Sequence, residues 1–148
     1  LEACERVDLC ALAGEVAAQC DAGDVRIIVN GSASVVEGDA FLLRHAIANL
    51  VENAVSFSPA GGKVDVDVSR DQGMCVVRVI DSGPGVPDYA LPRVFERFYS
   101  LPRPQGGSRS SGLGLPFVSQ VAELHRGSVT LANFPPRGAI ATLSLPQA

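Results

Sequence analysis

The stretch from Asp39 to Phe57 constrains this chain more than any other part of it. Leu43, Ala46, Ile47, Leu50 and Ala54 recur at helical spacing and make one apolar stripe. His45, Asn49, Glu52, Asn53 and Ser56 fall on the opposite face. Asp39 is placed to cap the helix, and the Pro59 to Gly62 run ends it. A helix apolar on one side needs a layer to bury that side against. The next segments supply it. From Lys63 to Arg70, Val64, Val66 and Val68 alternate with Asp65, Asp67 and Ser69, which predicts a half-buried strand. Asp71 to Gly73 is a turn. Met74 to Ile80 is nearly all apolar and predicts a central strand paired with the first as a hairpin.

The rest of the chain adds to this frame. Glu5 to Leu9 predicts a short strand, and Ala11 to Cys20 a helix with Leu12 and Val16 on one stripe. Val25 to Asn30 is a β-branched, apolar strand, and Val35 and Val36 add a short second one. Leu113 to His125 predicts a third amphipathic helix, with Pro116 in its first turn. Ser128 to Asn133 and Ala139 to Leu145 predict a last hairpin around Pro135 to Gly138. Helices and hairpins in this order predict a two-layer α/β sandwich: three main helices on a mixed, mostly antiparallel sheet of about five strands. Between Ser82 and Ser111 the periodicity breaks at prolines and glycines. A loop of that length in a compact domain is usually functional or disordered.

Composition removes whole classes of function. The chain has 148 residues, suited to one domain over residues 1–148; 47% are apolar and 19% charged, which excludes a disordered chain. A net charge of −4 argues against nucleic-acid binding, which usually needs a basic face. Cys4, Cys10, Cys20 and Cys75 form no CxxC pair and lie far from both histidines, so they are expected as reduced thiols and not as a zinc site. No apolar run is long enough to span a membrane, and no signal peptide is visible. The chain starts at Leu1 and not at Met, as a piece of a longer protein would.

Four constellations carry chemistry. Asn49 and Asn53 share a helix face, and their amide oxygens are hard neutral ligands that suit a Mg²⁺ already held by phosphates; a solvated polar face is the plain alternative. Asp81-Ser-Gly83-Pro-Gly85 follows a buried strand. Its carboxylate can accept from an amino group and its glycines allow a flat base to approach, or it is simply a tight turn. Phe95, Phe98 and Tyr99 stand in the Pro-rich loop as anchors for a lid or as local packing. Gly106 to Leu115 brings glycines to a helix start, where N–H groups and the helix dipole favour anions.

Taken in order, the four resemble the boxes of histidine kinases. HAIANLVENAVSFSP is similar to the N box, DSGPG to the G1 box, VFERFYS to the F box and SSGLGL to the G2 box. The resemblance is to the GHKL, or Bergerat, ATP-binding fold, from about Arg6 to Leu145. It implies that Asn49 and Asn53 contact Mg²⁺ and the ATP phosphates, and that Asp81 binds the adenine amino group. It implies that Gly83 and Gly85 shape the base pocket, that Phe57 lies near the adenine, and that Gly112, Leu113, Gly114 and Leu115 lie by the nucleotide. The segment between Tyr99 and Ser111 matches the ATP lid.

Two departures bear on catalysis. Ser56 and Ser100 stand where many members carry phosphate-binding cations. Transfer needs positive charge on the phosphoryl group, and Arg103 and Arg109 in the lid are the expected substitutes, with Arg97 nearby. GHKL ATPases place a water-activating glutamate where this chain has Asn49, and a neutral amide is no general base. Glu52 is a residual candidate base. The resemblance therefore implies a protein histidine kinase domain; the alternatives are an anti-sigma-factor-type serine kinase or a non-catalytic nucleotide-binding scaffold. No H box is present. His45 is read as a surface or site-lining residue, and His125 as a C-terminal cap. The implied partners are the protein's own dimerisation and phosphoacceptor domain, a homodimeric full-length protein and a response regulator. The implied place is the cytoplasmic side of an inner-membrane sensor kinase, and the isolated chain is not expected to phosphorylate itself.

Overall fold

The computed structural model describes residues 3–99, 101 and 114–148. In chain order the elements are β1 (Glu5–Asp8), α1 (Leu9–Gln19), β2 (Arg26–Gly31), β3 (Val35–Gly38), α2 (Ala40–Phe57), β4 (Lys63–Asp71), β5 (Met74–Ile80), α3 (Gly114–Leu124), β6 (Ser128–Asn133) and β7 (Ala139–Pro146). A 3-10 turn, Leu91–Arg93, lies in the loop after β5.

The main sheet has five strands in the order β2-β4-β5-β7-β6. β2 runs parallel to β4, and the other pairs are antiparallel. The predicted mixed sheet under three helices is thus the observed one. The two short strands predicted near the start of the chain, β1 and β3, stand outside the main sheet and form a separate antiparallel pair. Their pairing depends on residues about thirty positions apart, which local periodicity does not carry.

Register explains the core. Val66, Val79 and Ala141 are in line across β4, β5 and β7, as are Val68, Val77 and Leu143. All are buried and face the helices. The alternate residues Asp65, Asp67 and Ser69 point to the other face, where Arg78 Nη1 donates to Ser69 Oγ at 3.2 Å. Over the apolar face lies α2, with its predicted stripe fully or almost fully buried and Val51 added to it. Truncating Ile47 there would cost about 3 kcal/mol in lost burial and cavity.

Caps fix where the helices begin. Asp8 Oδ1 accepts from the N–H groups of Cys10 and Ser34, tying α1 to the loop before β3. Asp39 Oδ1 accepts from Phe41 and Leu42 at the start of α2, as the sequence predicted. Pro116 sits in the first turn of α3, where its missing N–H breaks no helical bond. The cysteines are all free: Cys4 is exposed, Cys10 and Cys20 are half-buried and Cys75 is buried. Burial pushes the thiols of Cys20 and Cys75 up, which leaves them poor nucleophiles.

Candidate functional site

A cavity opens between α2, the start of α3, the loop after β5 and the β6–β7 hairpin. Asn53 and Phe57 reach it from α2, Asp81, Gly85 and Val86 from the loop, and Gly114 and Leu115 from α3. Leu131 and Ala139 line it from the last two strands, and Val94, Tyr99 and Leu101 from the predicted lid side. The period of α2 brings Asn53 and Phe57 to one side, one helical turn apart.

Asp81 begins where β5 ends. Its N–H donates to Ala139 O at 3.0 Å. Its Oδ1 accepts from the N–H groups of Gly83 at 2.8 Å and Ala139 at 3.1 Å. Among the described residues Oδ2 accepts no hydrogen bond, so one oxygen remains for a ligand's donor. Burial pushes this carboxyl up from its ordinary value, against the two backbone donors that pull it down.

Two glycines make the approach possible. Gly85 has φ +86°, in the left-handed region. Gly83 is buried behind the wall, and a Cβ there would collide with the Phe57 carbonyl oxygen. Gly83 therefore packs the turn against the end of α2 and does not itself line the cavity. Ser82 reinforces that seam: its Oγ accepts from Lys63 N–H, and its own N–H donates to Ser58 Oγ at 3.1 Å.

The other end of the site is built from amides. Asn49 stands against Gly114, its Cγ 4.0 Å from where a Cβ would sit. Thus the first turn of α3 stands beside Asn49, which does not itself line the cavity, and shares the cavity wall with Asn53. Among the described residues no cluster of three acidic, histidine or cysteine side chains could hold a metal by itself. A cation here would need anionic oxygens from its ligand, with Asn49 and Asn53 as neutral partners.

Several predicted site residues lie elsewhere. Glu52 is exposed and lines a different groove, with Val16, Cys20 and Arg44 on the α1 side. It faces away from the Asn53 cavity, so its expected role as a base has no geometric support. Ser56 Oγ donates to Asn53 O at 2.8 Å and supplies no charge. The aromatic trio divides: Tyr99 reaches the cavity beneath the Arg93 guanidinium, 4.5 Å from its ring centre, whereas Phe98 is exposed. Arg103, Arg109, Gly112, Leu113 and Ser100 lie outside the described residues. His125 is more than a cap. Its Nδ1 faces Val121 O at 2.7 Å, its ring is buried, and its Nε2 accepts from Asp39 N–H at 3.1 Å. Sequence reasoning missed Leu131 and Ala139, whose alternation marks them as inward-facing but not as neighbours of this cavity.

Residues 38–148 match the model of the histidine kinase-, DNA gyrase B- and HSP90-like ATPases. The chain belongs to that family. Among curated relatives, Sensor protein CreC of Escherichia coli (strain K12) is 49% identical over 110 residues, 74% of this chain and 23% of CreC. The chain thus spans about a quarter of that relative. Among solved structures, the mycobacterial sensor histidine kinase MprB superposes with a TM-score of 0.85 at 30% identity, covering 98% of both chains. The ATP binding domain of PrrB from Mycobacterium tuberculosis gives a TM-score of 0.79 at 28% identity, again over 98% of both. This member of the ATPase family is accordingly a sensor-kinase ATPase domain in sequence and in fold.

Proposed function

We propose that residues 1–148 form one catalytic domain that binds ATP with Mg²⁺ and donates its γ-phosphoryl group to a histidine on the dimerisation domain of the same sensor kinase. The observation that carries this reading is the spare Asp81 oxygen in a mostly apolar slot that also holds the Asn53 amide and the start of α3. The adenine amino group would donate to Oδ2, the ring would lie against Gly85 and beside Phe57, and the phosphates would meet the N–H groups of α3. Asn49 and Asn53 fit a Mg²⁺ that arrives with the phosphates, where it would neutralise charge on the transferring oxygens.

Transfer is favoured over hydrolysis by what the chain puts near the phosphates. Asn49 cannot take a proton from water, and Glu52 opens onto another groove. Positive charge on the γ-phosphate is assigned to Arg103 and Arg109, since Ser56 is turned back onto its helix. Gly112 and Leu113 complete the phosphate end in this assignment. The phosphoacceptor domain, a homodimeric full-length kinase and a response regulator are the proposed partners, with this domain on the cytoplasmic side of the inner membrane. No helix among the described residues is long and apolar enough to cross a membrane.

Calorimetry with a Mg²⁺–ATP analogue tests the site. Asp81→Ala and Asn53→Ala are each expected to weaken binding by about tenfold or more. Unchanged affinity in both would overturn the assignment. The same Ser56 bond favours one other reading, a nucleotide-binding scaffold without transfer. Mixing the chain with its phosphoacceptor domain and ATP separates the two, since only the kinase yields phosphohistidine.

A further inference from the structure

The β6–β7 hairpin completes the sheet and also grips the loop after β5 at successive points. Ala139 N–H donates to Asp81 Oδ1, and Arg137 Nε donates to Ser82 O at 3.2 Å. Furthest along, the Asn133 side chain pairs with both polar groups of Val86. Val86 N–H donates to Asn133 Oδ1 at 2.6 Å, and Asn133 Nδ2 donates to Val86 O at 2.9 Å. A primary amide offers one acceptor and two donors side by side, so it completes this two-bond ring as a neighbouring strand would.

Asn133 is exposed, so burial does not demand an amide there. Among the described residues no other hydrogen bond reaches the backbone of Gly85 or Val86. The approach is close: a Cβ on Gly85 would stand 2.8 Å from Asn133 Oδ1. Gly85 and Val86 are both cavity wall, and Gly85 already holds a backbone conformation that few residues adopt. A wall built from an otherwise untethered turn would have to be ordered each time a ligand arrived, at a cost in affinity.

We infer that Asn133 is a positioning residue for the purine side of the site, holding the Gly85–Val86 wall in its binding conformation before nucleotide arrives. The inference rests on the nucleotide-binding reading above. Asn133 does not line the cavity; it acts through Val86. Its loss frees a surface turn and leaves the buried core untouched.

The test uses the chain with ATP and Mg²⁺, measuring affinity by calorimetry, melting temperature without ligand, and hydrogen exchange along the loop. Asn133→Ala is expected to weaken ATP about tenfold. Its melting temperature should stay within about 2 °C of wild type, and faster exchange should be confined to residues 82–90. Asn133→Asp sets a carboxylate oxygen against Val86 O in place of the amide donor, so it should bind ATP no better than Asn133→Ala. Wild-type ATP affinity within twofold in Asn133→Ala overturns the inference. So does a loss of affinity accompanied by faster exchange throughout the core. If Asn133→Ala fails to fold, the role is structural and the inference is wrong. A wild-type chain that binds no ATP removes the nucleotide reading itself, a result distinct from all of these.

Discussion

Asp81 joins two demands that pull its protonation in opposite directions. Its carboxyl is pushed above the usual value near 3.8 because burial outweighs the N–H groups of Gly83 and Ala139. The charged form is the stronger acceptor for an adenine amino group, and a proton on Oδ2 would bring a donor beside a donor. ATP affinity is therefore expected to fall on acidification, and to begin falling at a higher pH than an ordinary aspartate would cause. Stability of the ligand-free chain runs the other way. The contribution of a carboxyl with a raised folded pKa is full below its unfolded value and is lost as pH rises through the folded one. Relative to Asp81→Asn, wild type should gain stability as pH drops across that window. Parallel melting curves for the two proteins against pH would contradict this. The sequence placed Asp81 correctly at the end of a buried strand. It could not show that one oxygen is already occupied, because Ala139 is 58 positions away.

At the scale of elements, the start of α2 is docked on the end of α3. Gly38 leaves no room for a Cβ against the His125 ring, and Asp39 N–H donates into that ring. The hydrogen-bond pattern assigns the proton to Nδ1, which donates to Val121 O. Asp39→Ala removes the acceptor for Phe41 and Leu42 and should cost about 1 kcal/mol, or about 3 °C in melting temperature. His125→Leu should cost more, about 2 kcal/mol, because it strands the Asp39 N–H beside a buried side chain, while Val121 O keeps the backbone N–H of residue 125. Denaturant titrations would show both; a His125→Leu chain as stable as wild type would refute the docking role. The helix stripes and caps were legible in the sequence because they depend on neighbours within a turn or two. The bond from His125 to Asp39 spans 86 positions and follows from no local pattern.

For the molecule as a whole, ligand binding and folding should be linked. If ATP binds only the folded chain, then ATP with Mg²⁺ at about a hundred times its dissociation constant should add about 2.7 kcal/mol to stability. A melting temperature indifferent to ATP would count against the proposed site. The chain alone should form no phosphohistidine. His125 is buried with both ring nitrogens engaged, and His45, though exposed, lies on the groove it shares with Glu52 and does not line the Asn53 cavity. Acid-labile label on the isolated chain after incubation with radioactive ATP would show that an acceptor lies within it.

By itself the sequence determined the elements and the layer they bury, since helical and strand periods are properties of neighbouring residues. It also determined the order of the chemical groups along the chain, from Asn49 and Asn53 to Asp81, Gly85 and Gly114. Only the tertiary structure decided which of them share a cavity. The β5–β7 pairing laid Ala139 on Asp81, the return of β6 carried Asn133 to Val86, and the packing of α1 left Glu52 facing another groove. Those contacts are set by strand order and register, which arise from burying every apolar face at once and not from any one segment.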